Sequence, residues 1–457
     1  MKKTLLATLS IILVAVMALA LVACGDKTDS NASVSKVNPA DPKTDVGTYK
    51  SRVDANPMPD MVSWEGINQF KTTTEIAKLY ETDAAAAIAE ARQLSVDFFR
   101  YCKYAQWTPS DQWDFTHHDD GRSPDTLHAG VTYGGLPYVG LAYSAIYRLM
   151  DFIDPATGVV DIYKAGGKNH ELQKMFGNQC AQGAYQGWSR FINSAKYGGT
   201  PSMVESKGFY KIGNYIYDRH SQGWNKNYGT DECCTENGKE VLFESYALMD
   251  VGDGIVNFTT AGHVVMIATK PEVIRDETTG KIDGTKSFVT VIDQTPQWSK
   301  KNDSAGVPYD YQSNVDAKWT FEKLFEGNYV PFTYAEWLGN NKIETPSVRC
   351  LHTGDTITVE QLFNTWVKCN YHIYDIYCSI YNADGVEVAK VATHNKSSST
   401  YELKFESTGM QSVIWGNLET LDPAKYEYTA KIYAQLATGE RPTLWEGKLA
   451  PTPAEPK

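Results

Sequence analysis

Three positions in this chain carry side chains that together support nucleophilic attack on a carbonyl: Cys180, His263 and the adjacent pair Asp293 and Gln294. Cys180 lies in Gly177–Phe191, where Ala184, Trp188, Phe191 and Ile192 recur at helical spacing. That spacing predicts an amphipathic helix with the cysteine in its first turn. A helix start carries partial positive charge and unpaired N–H groups, which lower a thiol's pKa and receive a developing oxyanion. His263 supplies an imidazole to take the thiol proton, and a polar residue on a neighbouring strand would orient the ring.

The elements that must position this set follow from pattern. Leu248–Phe258, Ala261–Thr269 and Ser287–Thr295 read as three strands, with His263 near the start of the second. An antiparallel meander would set Asp293 or Gln294 beside His263, and alternation along the strand does not choose between them. Upstream, Asp83–Ala105 reads as a long helix with Thr82 as its cap and Ile88, Ala91, Ser95, Phe98 and Cys102 on one stripe. The glycines and proline of Gly130–Gly140 fix a turn, and its Tyr133 and Tyr138 either line a cleft or belong to an ordinary turn. The chain after the Cys180 helix reads as loop-rich through Gly238. His117, His118, Asp119, Asp120 and His128 lack regular ligand spacing on one element and read as a solvated loop; no metal and no organic cofactor is expected.

Composition limits the classes of partner. The 457 residues carry a net charge of −12 with scattered Lys and Arg, so no nucleic-acid-binding surface is expected. Lys2 and Lys3, an apolar run from Leu5 to Ala23, and then Cys24 read as an export signal ending in a cysteine available for lipidation. The mature chain would then sit on the outer face of a membrane, held through Cys24. Residues 25–62, rich in Ser, Asn, Asp and Pro, read as a flexible tether. With Cys24 assigned to lipid, seven of the eight cysteines remain, so at least one thiol is unpaired; a disulfide among Cys350, Cys369 and Cys378 stays open.

From about Thr345 the pattern changes to short strands at Asp355–Val359, Ile373–Tyr381, Val386–Val391, Tyr401–Phe405, Val413–Trp415 and Tyr426–Leu436. That spacing predicts an antiparallel β-sandwich, with Trp366, Trp415 and Trp445 in its core and Thr345-Pro346 as a hinge. The expected organisation is a signal segment 1–24, a tether 25–62, an α+β domain 63–345, the sandwich 346–450 and a disordered tail 451–457.

Four motifs, taken in order, resemble the NlpC-type cell-wall cysteine hydrolases and the related CHAP amidases, which have a papain-like fold. Gly135-Leu136-Pro137-Tyr138 is similar to the Gly-x-Pro-Tyr stretch before the nucleophile. Leu248–Asp253 is similar to the Leu-x-x-Gly-Asp turn, and Gly262-His263-Val264 to the histidine motif. Val291-Ile292-Asp293-Gln294-Thr295 resembles the CHAP segment Val-x-Glu-Gln-Asn. The resemblance implies a Cys180–His263–Asp293 triad with Gln294 as the alternate third residue, substrate contacts from Tyr133, Tyr138 and Gln179, and a peptidoglycan or peptide substrate. Gln179 and Ala181 stand where NlpC members carry Asp and Ser, so that family's bond specificity does not carry over. The rival expectations are the same fold acting on another amide or ester, and a surface lipoprotein that binds glycan or peptide without catalysis.

Overall fold

Two separate hydrophobic cores organise the chain in a computed structural model that describes residues 70–109, 180–195, 209–217, 229–258, 262–295, 314–352, 354–395, 400–407 and 412–451, with short strand fragments between 113 and 177. The architecture is mixed α+β with antiparallel sheets and a β-rich C-terminal region.

Helix α1 (Thr73–Thr82) starts at a reciprocal cap, in which Thr72 accepts from the Glu75 N–H while the Glu75 carboxylate accepts from the Thr72 N–H. Helix α2 (Ala84–Tyr104) follows at once, its early alanines favouring helix. Its cap is Asp83, which accepts from the Ala86 N–H at 3.0 Å; the expected cap, Thr82, is instead the last residue of α1. Helix α3 (Cys180–Trp188) begins at the cysteine, as its spacing predicts. The expected amphipathicity does not hold, because all nine residues are buried, and Phe191 and Ile192 lie beyond the helix end.

A six-stranded sheet supports these helices. Its strands are β1 (Phe209–Lys211), β2 (Gly254–Phe258), β3 (Gly262–Ile267), β4 (Phe288–Ile292), β5 (Ala317–Thr320) and β6 (Val330–Tyr334). They run antiparallel in the spatial order β5-β4-β3-β2-β6-β1, so the expected meander is present as β2-β3-β4. Val264, Val265, Met266 and Ile267 are all fully buried, which means both faces of β3 are covered. Leu248–Asp253 forms a turn rather than the start of a strand, and the end of the stretch read as loop-rich through Gly238 belongs to helix α4 (Thr230–Tyr246). Gly238, at φ +73°, kinks α4, so its buried Cys233, Cys234, Leu242, Phe243 and Tyr246 never share one helical phase. A short helix α5 (Phe321–Glu326) joins β5 to β6.

Beyond residue 345 the strands are β7 (Val348–Cys350), β8 (Thr356–Ile357), β9 (Trp366–Cys369), β10 (Ile373–Asn382), β11 (Glu387–His394), β12 (Glu402–Lys404), β13 (Ser412–Gly416), β14 (Tyr428–Leu436) and β15 (Thr443–Leu449). They make a three-stranded sheet β7-β9-β12 and a six-stranded sheet β8-β15-β14-β10-β11-β13. Val367 and Leu403 from the first pack with Ile376, Cys378, Val391 and Ile432 from the second in one core. None of the three tryptophans expected in that core is fully buried: Trp366 is 40% exposed, and Trp415 and Trp445 are half-buried, with Trp445 packed against the core. Aliphatic side chains fill the space between the sheets, and the Trp445 indole N–H bonds the Gly354 carbonyl at 2.7 Å.

Contacts on both sides of Thr345-Pro346 tie the C-terminal sheets to the rest of the chain. Asn370 bonds the Ser347 N–H at 2.7 Å and the Thr345 carbonyl at 3.2 Å, fixing the connection. Tyr374 and Ala437 belong to the first core, and Tyr374 shares a 2.8 Å hydrogen bond with Ser189 just past α3. His372 Nε2 bonds the Ala195 carbonyl at 2.6 Å, and Thr74 bonds Glu440 at 2.7 Å. Among the described residues none of Cys102, Cys180, Cys233, Cys234, Cys350, Cys369 and Cys378 is in a disulfide, so the one left open among the last three does not form.

Candidate active site

Cys180 is the first residue of α3, and two glycines bring that helix against α2. A Cβ at Gly183 would stand 2.6 Å from Phe99 Cε2, and one at Gly187 would stand 2.6 Å from the Ser95 carbonyl oxygen. The far end of α3 is tied to the sheet through the turn before β2. The Trp188 indole donates to the Gly252 carbonyl at 2.7 Å, and the Gly252 N–H donates to Ile267 of β3 at 2.9 Å. Gly252 has φ +78°, a conformation glycine adopts without strain.

Asp253 locks the same turn. Its carboxylate accepts from Arg92 at 2.8 Å, from the Thr333 hydroxyl at 2.6 Å and from the Asp250 N–H at 2.6 Å. Burial pushes the Asp253 carboxyl up, and the Arg92 guanidinium opposes that shift. The turn Leu248–Asp253 is therefore a junction joining α2, α3, β3 and β6.

His263 is the second residue of β3, its backbone N–H held by Asn257 Oδ1 at 3.0 Å. Its Nε2 lies 2.7 Å from Asp293 Oδ2, one residue past β4. Register explains the choice between the two candidate orienting residues. Met266 pairs with Ile292, and continuing that antiparallel ladder by one residue sets Asp293 opposite Val265, on the face of β3 that carries His263. Gln294 falls on the other face, where its Oε1 accepts from the buried Lys103 ammonium at 2.8 Å; it does not orient the imidazole.

Cys180 Sγ lies 4.0 Å from the Gly262 carbonyl, next to His263, whose Nε2 is committed to Asp293 while its Nδ1 takes no hydrogen bond among the described residues. Burial alone would depress the imidazole, but the Asp293 carboxylate and the nearby Cys180 side chain outweigh it and raise His263 to about 10. The His263 side chain retains 12% exposure and Cys180 is 4% exposed, so the site meets solvent at the histidine. Tyr329 presents its ring edge-on to His263 at 6.3 Å.

The other cysteines differ in setting. Burial pushes Cys233, Cys234 and Cys378 up to about 12 and Cys369 up to about 11. Such thiols are protonated and inert at neutral pH.

The structure thus brings together Cys180, His263 and Asp293, while Gln294 meets Lys103 and lies beside Gly183 of α3. Tyr138 lies in the fragment Tyr138–Val139, which pairs with Gln106–Pro109; Tyr133, Gln179 and Cys24, with the signal and tether, lie outside the described residues. Among the described residues no group of three or more His, Cys, Asp or Glu side chains is placed to hold a metal ion, and no helix is long and apolar enough to cross a membrane. Sequence reasoning missed Asn314, whose side-chain amide donates to Asp293 Oδ2 at 3.2 Å, and nothing in its local sequence marks it. It also missed Arg92, a buried cation on an apolar helix stripe; that oddity was a usable signal. No protein-family model, no curated protein and no solved structure matches this chain.

Proposed function

We propose that this protein is a cysteine hydrolase of amide bonds, with Cys180 as nucleophile, His263 as base and then acid, and Asp293 as the residue that orients the ring. The observation that carries this reading is the placement of a helix-start thiol and a buried carboxylate on one imidazole. In this mechanism the thiol proton passes to His263 and the sulfur attacks the substrate carbonyl. N–H groups at the start of α3 receive the oxyanion. His263 then protonates the leaving amine, leaving an acyl-enzyme thioester, and a water deprotonated by His263 hydrolyses it to the acid and the free thiol.

The helix-on-sheet arrangement is compatible with a papain-like fold, and the two C-terminal sheets with an immunoglobulin-like sandwich. The wall-hydrolase motifs favour stem peptides of peptidoglycan as substrate, with the chain anchored outside the cytoplasm through lipid on Cys24. C180A should fold as the parent does and release no fragments from purified peptidoglycan, whereas unchanged release from C180A removes the mechanism. A second reading keeps the chemistry but moves it to an amide outside the wall; Gln179 and Ala181 beside the nucleophile favour it. Turnover of such amides without release from peptidoglycan would select that reading.

A further inference from the structure

We propose that Asn314 is a positioning residue of this site, holding the Asp293 carboxylate and, through it, the His263 ring. Its purpose rests on the hydrolase reading; its content rests on geometry. Asp293 Oδ2 accepts two hydrogen bonds, from His263 Nε2 at 2.7 Å and from Asn314 Nδ2 at 3.2 Å, while Oδ1 takes none among the described residues. The Asn314 carbonyl also accepts from the Asp293 backbone N–H at 3.3 Å. One residue therefore grips both the main chain and the side chain of Asp293. Without its amide, the carboxylate would be bound only to the ring it has to orient.

The backbone supplies a second, independent observation. Asn314 has φ +48° and Asp316 has φ +51°, two left-handed non-glycine residues within three positions. Such conformations are uncommon and cluster where a site demands them, and Asn and Asp are the side chains that tolerate them best. Asp316 in turn forks onto Arg100 of α2, at 2.9 Å and 2.8 Å, and Arg100 also bonds Asp97. A hydrogen-bonded path thus runs from Arg100 through Asp316 and the loop to Asn314, Asp293 and His263. Helix α2, where this path starts, is the helix against which α3 and its Cys180 are packed, so both ends of the reactive set are referred to one rod. Lys103, also on α2, fixes the next residue, Gln294, from the opposite side.

N314G and N314D test the assignment. Glycine adopts a φ of +48° freely, so N314G loses the amide without backbone strain. Aspartate keeps the size and the left-handed tolerance but sets an acceptor against Asp293. Two readouts apply: the His263 ring titration, followed by NMR on histidine-labelled protein with H263A for assignment, and the iodoacetamide rate at Cys180 near neutral pH. In N314G the His263 midpoint should fall toward the ordinary histidine range. Alkylation should slow on the order of tenfold in both variants, as for one lost hydrogen bond to a charged group. A His263 titration in N314G identical to the parent's overturns the proposal, and if N314D fails to fold, N314G decides alone. Failure of the hydrolase reading is separable: it would appear as a parent Cys180 that alkylates no faster than in H263A, whatever N314G does to the ring.

Discussion

At the residue scale the site depends on where one proton sits. Folding raises His263 from an ordinary 6.5 to about 10, so between those values the folded chain holds a proton that the unfolded chain has released. The stability conferred by the imidazolium is complete below about pH 6.5 and is lost as pH rises through about 10. Urea unfolding at about pH 6 and about pH 10 should therefore show a larger loss of stability in the parent than in H263A. Equal losses in the two proteins would mean that the ring is not charged in the folded site.

At the element scale the position of the thiol is set by how closely two helices approach. Gly187 leaves no room for a side chain, since the obstruction is the Ser95 carbonyl oxygen, with Met266 Cε 2.9 Å away. G187A must push α3 off α2 and should cost roughly 1–3 kcal/mol in urea unfolding, the range for overpacking a filled interior. The sulfur would be displaced with the helix, so alkylation at Cys180 should slow as well. A variant with parental stability and reactivity would show that the helix position has slack.

Much of this scale was readable beforehand. The Cys180 helix, the order of three strands and six of the C-terminal strands follow from apolar residues recurring at helical spacing and from short β-branched and aromatic runs between turn residues, although α3 and β3 turn out to be buried on every side. Helix α4 was not readable, since its kink at Gly238 resets the phase, and neither were β7, β9 and β15, whose half-buried residues break the alternation. At the site, the cysteine and histidine announce themselves by type. The choice of Asp293 over Gln294 needed the ladder register, and Asn314 needed the path of a loop that no local pattern specifies.

At the scale of the whole molecule, the C-terminal sheets are part of the scaffold for α3. Arg190, just beyond that helix, stacks on Phe98 at 4.4 Å and lies against Gly439, and burial lowers its guanidinium to about 10. Together with the Ser189–Tyr374 and His372–Ala195 bonds, this closes the end of the first core. A chain ending at residue 345 would leave that end open to water. It should melt well below the full protein in calorimetry, and the full protein should unfold in one transition. A truncated chain with the parental melting temperature would restore the picture of two independent units.

The seven unbridged thiols bear on how this molecule tolerates its surroundings. Nothing in the described scaffold is stapled by sulfur, so a reducing medium that keeps the Cys180 thiol reduced takes no cross-link away. Peroxide or a disulfide-bearing small molecule would find its readiest target at Cys180, the sulfur that adjoins an imidazole, and would silence the chemistry long before it loosened the architecture.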